Sequence, residues 1–335
     1  MLTERRASLL NFIIEDYVDT ALPVGSEYVV RRHRMPFSSA TVRLEMARLE
    51  EEGYITHPHT SAGRIPSDKG YRYYVETLME EEKLAWEQQE TIRHQFHQAE
   101  RALEEWFQLA AAVLAQAVRN FAVVTSPRSK EARLRHLQLV ALQEFSALCV
   151  VVLQEARLHQ QVVTLKQAAD QETLSGVAAR LNARYGGLTL SDLVRQPQPA
   201  SEIDELVLEA VVDMMTQESM ALGEVFRDGV REVLSQPEFA RSERILDLVD
   251  MLEQRTLASA IPVRDLQGEG ISVVIGSENA LQSMQDCSVV VARYGTSSGP
   301  SGVVAVLGPT RMRYSRTIPT VRYLAAVLSE LIAQI

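Results

Sequence analysis

Apolar residues near the start of the chain recur every three or four positions, which is the spacing of an amphipathic helix. They predict a first helix over about residues 3–19, with one apolar face made of Leu9, Leu10, Ile13, Ile14 and Val18. Residues that break helices then divide the chain into short elements. In chain order we expect a helix over 27–32 with Ser26 as N-cap, a turn over 33–37 around Pro36, a third helix from Ser38 or Ser39 to about Glu52, a hairpin joining 54–56 to 64–65, and a helix from Asp68.

The rest of the chain combines helical and strand patterns. Residues 81–123 keep the three-to-four spacing as far as Phe121 and predict one or two long helices. Helical patterns follow over about 168–220 and 238–257, and a last amphipathic helix ends the chain. Strand patterns occupy 137–142, 147–153, 158–165, 271–275, 287–294 and 303–307. Two groups of strands on either side of about 100 mostly helical residues predict an α+β domain with an insertion.

Composition narrows the class of protein. Of the 335 residues, 46% are hydrophobic and 23% charged, which is typical of a packed soluble protein. No apolar run approaches the roughly 20 residues of a membrane span, and the first residues lack the pattern of a secretory signal. The two cysteines, Cys149 and Cys287, each lie beside valines and are expected to be buried thiols in a reducing cytoplasm.

The net charge of −10 argues against a nucleic-acid partner only as an average. Residues 28–44 contain four arginines and no acidic residue. Residues 1–80 carry 10 Lys and Arg against 12 Asp and Glu, whereas residues 81–335 carry 24 against 32. The acidic excess therefore lies mainly outside the first 80 residues, and an acidic remainder would limit non-specific binding to DNA.

Three helices followed by a hairpin is the element order of a winged helix-turn-helix, whose third helix enters the major groove of DNA. On a helical projection Val42, Met46 and Leu49 form the core side. The opposite side contains Ala40, Leu44, Ala47 and Glu51, flanked by Arg43 and Arg48. We expect Arg43 to contact a guanine, because a guanidinium matches the O6 and N7 acceptors. The small residues would allow close approach to the base edges. A structural three-helix bundle with solvated arginines is the alternative.

The expected phosphate contacts surround this helix. They are Arg31, Arg32 and Arg34 in the turn, Ser38, Ser39 and Thr41 at the helix N-terminus, and His57, His59, Thr60, Ser61 and Arg64 in the hairpin. Anions are favoured at a helix N-terminus. A metal site at His57 and His59, or at His94 and His97, is a weaker alternative, since no cysteine or suitable carboxylate set completes it.

Motifs of catalysis are missing from the sequence. The stretch 295–302 resembles a phosphate-binding loop only in its glycines and lacks the Lys-Ser/Thr of that loop, so a strand connection explains it better. The sequence also contains no nucleophile elbow, HExxH or GxGxxG motif. We therefore expect neither an enzyme nor a cofactor or metal.

Several segments together resemble the HrcA family of bacterial heat-inducible transcription repressors. They are Gly25-Ser26, Ser38–Arg43, Gly53-Tyr54, Pro58–Arg72, Asp286–Ser288, Tyr294-Gly295 and Gly308–Tyr314. The segment Pro58–Arg72 is the most specific, and about 165–260 matches only in pattern. The family usually has Asn-Asp after the arginine of the third helix, where this chain has Leu44-Glu45. An apolar contact of Leu44 with a thymine methyl group could substitute.

The resemblance implies a domain organisation and a mode of action. Residues 1–80 would be the winged-helix head, and 81–335 a GAF-like domain with a long helical start at 81–123 and an inserted, mainly helical dimerisation subdomain at about 166–235. The implied function is repression by a homodimer on a long inverted repeat (CIRCE) ahead of chaperonin operons, with the chaperonin as a modulating partner. Dimerisation also suits the residues, since a two-fold operator needs two heads and the long helices offer apolar surface.

Two other function classes compete with repression of chaperonin operons. A regulator whose GAF-like domain senses a small molecule would gain about 2.7 kcal/mol of stability from ligand at 100 times its dissociation constant, which a thermal-shift screen detects. A purely structural oligomerisation module would leave the acid-free basic segments unexplained.

Overall fold

The structure of the chain is a computed structural model that combines helices and sheets in an α+β arrangement. The residues that it describes are 2–58, 63–98, 103–128, 132–154, 158–197, 199, 201–220, 223–239, 261, 270–295 and 299–334. Two compact units result, one of Met1–Pro127, Gly223–Ser297 and Ser301–Ile335 and the other of Arg128–Leu222 and Ser298–Pro300.

Three helices and a hairpin begin the first unit, and we call residues 2–80 the head. Its elements are α1 (Glu4–Thr20), α2 (Ser26–Arg32), α3 (Ser39–Glu51), β1 (Ile55–Thr56), β2 (Ile65–Pro66), α4 (Asp68–Tyr73) and a wide helical turn (Tyr74–Leu78). The predicted order is confirmed, with shifts of a few residues at the ends. The N-cap predicted at Ser26 is wrong, because Gly25 caps α2 and Ser26 is its first helical residue. Antiparallel pairing places Ile55 opposite Pro66.

Apolar spacing explains why these helices pack. The predicted face of α1 is buried except for the partly exposed Val18, and α3 buries the predicted Val42, Met46 and Leu49. Together with Val24, Val29, Ile55 and Tyr71 these side chains form the core of the head, which is continuous with the core beneath the large sheet of the same unit.

That sheet has five antiparallel strands in the order β7-β3-β10-β9-β8. The strands are β3 (Phe121–Thr125), β7 (Val225–Asp228), β8 (Ile271–Ile275), β9 (Cys287–Gly295) and β10 (Ser301–Pro309). Two long helices, α6 (Leu103–Val118) and α11 (Tyr314–Ile332), contact it. The short helix α10 (Val230–Leu234) contacts β3, and α5 (Trp86–Gln98) contacts α6. Side chains on both faces of β3, β9 and β10 are buried. We call the sheet with α6 and α11 the body.

The second unit contains a smaller antiparallel sheet in the order β4-β5-β6. Its strands are β4 (Leu134–Gln143), β5 (Ser146–Leu153) and β6 (Leu158–Thr164), followed by α7 (Gln171–Tyr185), α8 (Leu190–Val194) and α9 (Glu202–Met220). Alternate residues of β5 are buried, which is typical of a sheet covered on one face. Helices α7 and α9 supply that cover. The predicted meander is confirmed.

Two differences from the expected organisation have a physical cause. The predicted helical stretch at 81–123 is wrong at its end, because Phe121 lies in β3, where its side chain is fully buried in the sheet. The second compact unit begins at Arg128, ahead of the insertion expected at about 166–235. Its strands pair with one another, and their apolar side chains pack on α7 and α9 rather than in the body.

Both cysteines are buried free thiols, as predicted. Burial raises the pKa of Cys149 and of Cys287 to about 12, so that both stay protonated near neutral pH. The hairpin expected between the last strands is also confirmed, since β9 and β10 pair from Gly295 opposite Ser301. The predicted helix over 238–257 lies almost entirely outside the described residues. No helix in the described ranges is long and apolar enough to cross a bilayer.

Candidate nucleic-acid interface

The N-terminus of α3 is capped by Ser38. Its Oγ accepts a hydrogen bond from the backbone N of Thr41 at 3.2 Å and lies 2.9 Å from the Thr41 hydroxyl. Ser38 and Ala40 are exposed, and Ser39 and Thr41 are half-buried. This cap fixes where the helix starts. The positive end of the helix dipole has the hydroxyl groups of Ser38, Ser39 and Thr41 beside it.

The outer side of α3 has the composition expected from the helical projection. Arg43 and Leu44 are exposed, Leu44 to 57%, and Ala47 is half-buried. Among the described residues the side chain of Arg43 has neither an ion pair nor a hydrogen bond, and the side chain of Arg48 has none either. Two unpartnered guanidinium groups therefore flank a surface of small and apolar side chains.

Acidic residues occupy the second half of α3, and most of them are paired within the head. Glu45 accepts from Arg6 at 3.1 Å and from Arg5 at 3.4 Å, and Glu52, at the C-cap, pairs with Arg6. Thus Glu45, one of the two residues that depart from the family pattern, ties the helix to the start of α1. The repulsion that an acidic helix end would exert on DNA is reduced by these internal cations.

Glu50 links α3 to the hairpin. One carboxylate oxygen lies 2.8 Å from Arg64 Nη2, and the other contacts Nδ1 of His57. Backbone hydrogen bonds between Val24 and Arg64, at 2.8 and 2.9 Å, also fix the base of the hairpin. Two of the five phosphate contacts predicted in the hairpin are therefore held by an acidic residue of the same head. The other three, His59, Thr60 and Ser61, lie outside the described residues.

The turn arginines have unequal surroundings. Arg32 lies 2.8 Å from Asp16 Oδ1 and 3.2 Å from Asp19 Oδ2, and it donates to the hydroxyl of Tyr28 at 2.8 Å. The hydrogen bond with Tyr28, followed by the charge of Asp16, raises the pKa of Arg32. Asp16 is fully buried and also contacts His33 Nε2 at 3.0 Å. Arg32 is therefore occupied by acidic residues of α1.

The arginines on either side of Arg32, Arg31 and Arg34, have weaker side-chain contacts or none in the described residues. In the described part of the chain, the Arg31 side chain makes only a long contact, 3.4 Å, with the carbonyl of Glu27. Arg34 is exposed with a φ of 48° and has no partner in the described ranges. Of the arginines expected at DNA, the structure thus leaves Arg31, Arg34 and Arg43 accessible, and it pairs Arg32 and Arg64.

The acidic partners of these cations were not predicted from the sequence. Glu50 precedes the basic hairpin by only a few residues, so an ion pair across such a short loop was a detectable signal. Within the described ranges no group of three His, Cys, Asp or Glu residues could hold a metal.

Comparisons with known proteins agree over the full chain. A family model described as the HrcA protein C-terminal domain matches residues 104–318. The heat-inducible transcription repressor HrcA of Roseiflexus sp. (strain RS-1) is 44% identical over 100% of this chain and 95% of its own length. The repressors of the same name from Chloroflexus aurantiacus and Dehalococcoides mccartyi (strain CBDB1) are 41% and 40% identical over 100% of this chain and 95% and 97% of theirs.

A solved structure resembles the fold. The crystal structure of a hypothetical protein aligns over 100% of this chain and 99% of its own with a TM-score of 0.57. Its sequence identity is 22%, so the likeness concerns the fold alone.

Proposed function

Because this chain belongs to the HrcA family of heat-inducible transcription repressors, we propose that its head is a winged helix-turn-helix that binds operator DNA. The observation that carries the proposal is the outer side of α3, where Arg43 is exposed and unpartnered in the described ranges and residues 39–44 include no acid. An anionic duplex is attracted to such a surface, and small side chains allow it to approach closely.

Each residue of this surface has a distinct proposed role. Arg43 reads a guanine through paired hydrogen bonds, and Ala40, Leu44 and Ala47 face the groove. Ser38, Ser39 and Thr41 donate to phosphate at the helix N-terminus, joined by Arg31 and Arg34. Arg32, His57 and Arg64 would contact phosphate only if each gave up its internal acidic partner, so they are the weaker contacts of the set. His59, Thr60 and Ser61 are proposed phosphate contacts at the tip of the hairpin.

The remaining residues would form a GAF-like domain with an inserted dimerisation subdomain. The compact unit that starts at Arg128 and ends at Leu222 supports an insertion with borders earlier than 166–235. The chain would act as a cytoplasmic homodimer, because an inverted-repeat operator presents two equivalent half-sites to two heads. The proposed operator is the CIRCE inverted repeat ahead of chaperonin operons.

A gel-shift titration with the inverted repeat tests DNA binding. We expect binding to the operator to exceed binding to a scrambled duplex of equal length and composition. The logarithm of the binding constant is expected to fall with the logarithm of salt concentration by about 0.9 for each phosphate contact. Equal affinity for both duplexes, or a flat salt dependence, would contradict the proposal.

Modulation by the chaperonin requires a separate measurement. We propose that the chaperonin helps the chain to reach its DNA-binding form, so that heat relieves repression by occupying the chaperonin with other proteins. The active fraction is measured by titrating a fixed amount of refolded protein with tight-binding operator, with and without chaperonin and ATP. An active fraction that does not change would refute this part and leave DNA binding untouched.

A further inference from the structure

The segment Ser67–Arg72, which follows the hairpin, contacts two parts of the first unit at once. On one side it is fixed to the end of α3. Ser67 Oγ donates to the carbonyl of Gly53 at 2.7 Å, and Lys69 Nζ donates to the carbonyl of Glu52 at 2.7 Å. A side chain at Gly70 would collide with the carbonyl oxygen of Tyr54, so glycine at this position permits the close approach.

On its other side the same segment is fixed to the body. Asp68 Oδ2 accepts two hydrogen bonds from Ser277, from the backbone N at 2.8 Å and from Oγ at 2.7 Å. A Cβ at Gly276, whose φ is +52°, would collide with the Asp68 carboxylate. The loop after β8 is therefore shaped to receive Asp68.

Arg72 makes a second connection with the same edge of the sheet. Its Nη2 donates to the carbonyl of Val273 at 2.7 Å, and its Nε donates to Glu278 Oε1 at 2.9 Å. The other oxygen of Glu278 contacts Arg72 Nη2 and accepts from the backbone N of Ile275 at 2.8 Å. The carboxylate of Glu278 and the carbonyl of Val273 thus hold the Arg72 guanidinium in a fixed orientation, and the amide of Ile275 holds Glu278.

A separate set of contacts joins α1 to the segment before α11. Arg311 Nη1 donates to the carbonyl of Val18 at 3.2 Å, and Arg313 Nη2 donates to Asp19 Oδ1 at 2.9 Å. The Arg311 side chain is 12% exposed and also pairs with Glu238. Between the two sets the rings of Tyr71 and Tyr314 are buried, with their centroids 6.0 Å apart. Segments of family resemblance from the two ends of the chain therefore meet at one interface.

We propose that these contacts act as a latch that fixes the orientation of α3 relative to the body. Asp68 and Arg72 are then positioning residues for operator binding, not contacts with DNA. The inference rests on the proposed function, since it concerns how two heads of a dimer meet two half-sites. Two heads held in fixed positions bind the second half-site as an intramolecular step, and a head that pivots loses this advantage.

The test measures the full chain on three DNA duplexes: the inverted repeat, one half-site, and the repeat with about 5 bp added to its spacer, which is half a helical turn. For Arg72→Gln we expect affinity for the full repeat to fall roughly ten-fold or more, because avidity contributes about 10²–10⁴. Half-site affinity is expected to stay within about two-fold of the unmodified protein, and the penalty for the longer spacer is expected to shrink.

Glu278→Gln is the matched variant, because it breaks the same pair from the body side. It should give the same ratio of full-site to half-site affinity as Arg72→Gln. The double variant should bind the full repeat no more weakly than either single variant. Circular dichroism and a thermal melt establish that each variant is folded. Equal losses on full site and half-site would overturn the latch and indicate a DNA contact at Arg72, and unchanged full-site affinity would overturn it as well. Failure of the unmodified protein to bind any of the duplexes would instead contradict the proposed function.

Discussion

The two halves of α3 differ in charge and in what holds their side chains. The first half, from Ser39 to Leu44, has no acidic residue, and its single cation, Arg43, has no partner in the described ranges. The second half and its C-cap hold four acidic residues. Three of these are paired within the head: Glu45 with Arg5 and Arg6, Glu50 with His57 and Arg64, and Glu52 with Arg6.

The difference separates cations that serve recognition from cations that serve the fold. A guanidinium already held by a carboxylate must give up that partner before it binds a phosphate, so its net gain on DNA is small. A solvated guanidinium has only water to displace. Specific recognition is therefore expected to reside in the first half of α3, and the second half and the hairpin are expected to limit non-specific attraction.

The largest expected effect is in the first half. Arg43→Ala should weaken operator binding by about 1–3 kcal/mol, or roughly five- to 150-fold, because the paired hydrogen bonds to a base are lost. Competition gel shifts measure the loss against the operator and against duplexes with one substituted base pair, where the preference at one position should relax.

Two further variants separate base reading from charge. Arg43→Lys keeps the charge and loses the planar fork, so it should retain the salt dependence and lose the base preference. Arg231→Ala removes an exposed arginine from a short helix of the first unit outside the head and is the control for net charge. An Arg43→Ala protein that binds as well as the control would place recognition elsewhere.

A smaller effect of opposite sign is expected in the second half. Glu50→Gln removes the charge that holds His57 and Arg64, so affinity for scrambled DNA should rise. The salt dependence should steepen by about 0.9 for each additional phosphate that the released cations bind. Glu51→Gln is the matched control, because it makes the same change of charge at the adjacent exposed residue, which pairs with nothing in the described ranges. Equal increases in both variants would mean that net charge alone is responsible.

The helices of the head could be predicted because their signals are local. Apolar spacing located α1 and α3, and Pro36 with Ser38 located the turn and the cap between α2 and α3. The sheet of the body was harder, since β3 follows a long amphipathic helix without a strong break, and its pairing with β7 and β10 joins residues far apart in the chain. Such pairing depends on tertiary contacts that a window of sequence does not contain.

For the candidate interface, the residue types and the helix face that carries them were predictable from the sequence. Which cations are free to bind DNA was not. The outward side of α3 followed from helical geometry. The pairing of Arg32 with Asp16, across two helices, depends on their packing, and so does the docking of Asp68 on Ser277, more than 200 positions away. The most specific segment of the family resemblance therefore includes residues that contact the body as well as the hairpin.

The arginines at the end of α2 provide a third test of the comparison between paired and unpaired cations, and the expected effect is modest. Arg32→Ala should lower the midpoint of thermal unfolding, because the buried Asp16 loses the guanidinium group that lies beside its Oδ1. The salt dependence of DNA binding should change little. Arg31→Ala should have the opposite pattern. The midpoint should stay unchanged, and the slope of the logarithm of the binding constant against the logarithm of salt concentration should decrease by about 0.9 in magnitude. If Arg32→Ala instead reduced the salt dependence at an unchanged midpoint, Arg32 would be a phosphate ligand.

The smallest expected effect concerns Leu44, the last residue of the first half of α3. Its side chain is 57% exposed, so Leu44→Asn should leave the stability of the fold unchanged. An exposed leucine can contact a thymine methyl group, whereas asparagine pairs with N6 and N7 of adenine. We therefore expect a change in overall affinity below about 1 kcal/mol, and a preference at one operator position that moves from thymine to adenine. Competition among operators that differ at single positions measures this shift.

The control is Leu22→Asn, which makes the same change at a leucine that is 66% exposed and precedes α2. A base preference that stays the same in both variants would place Leu44 outside the groove and confine base reading to Arg43.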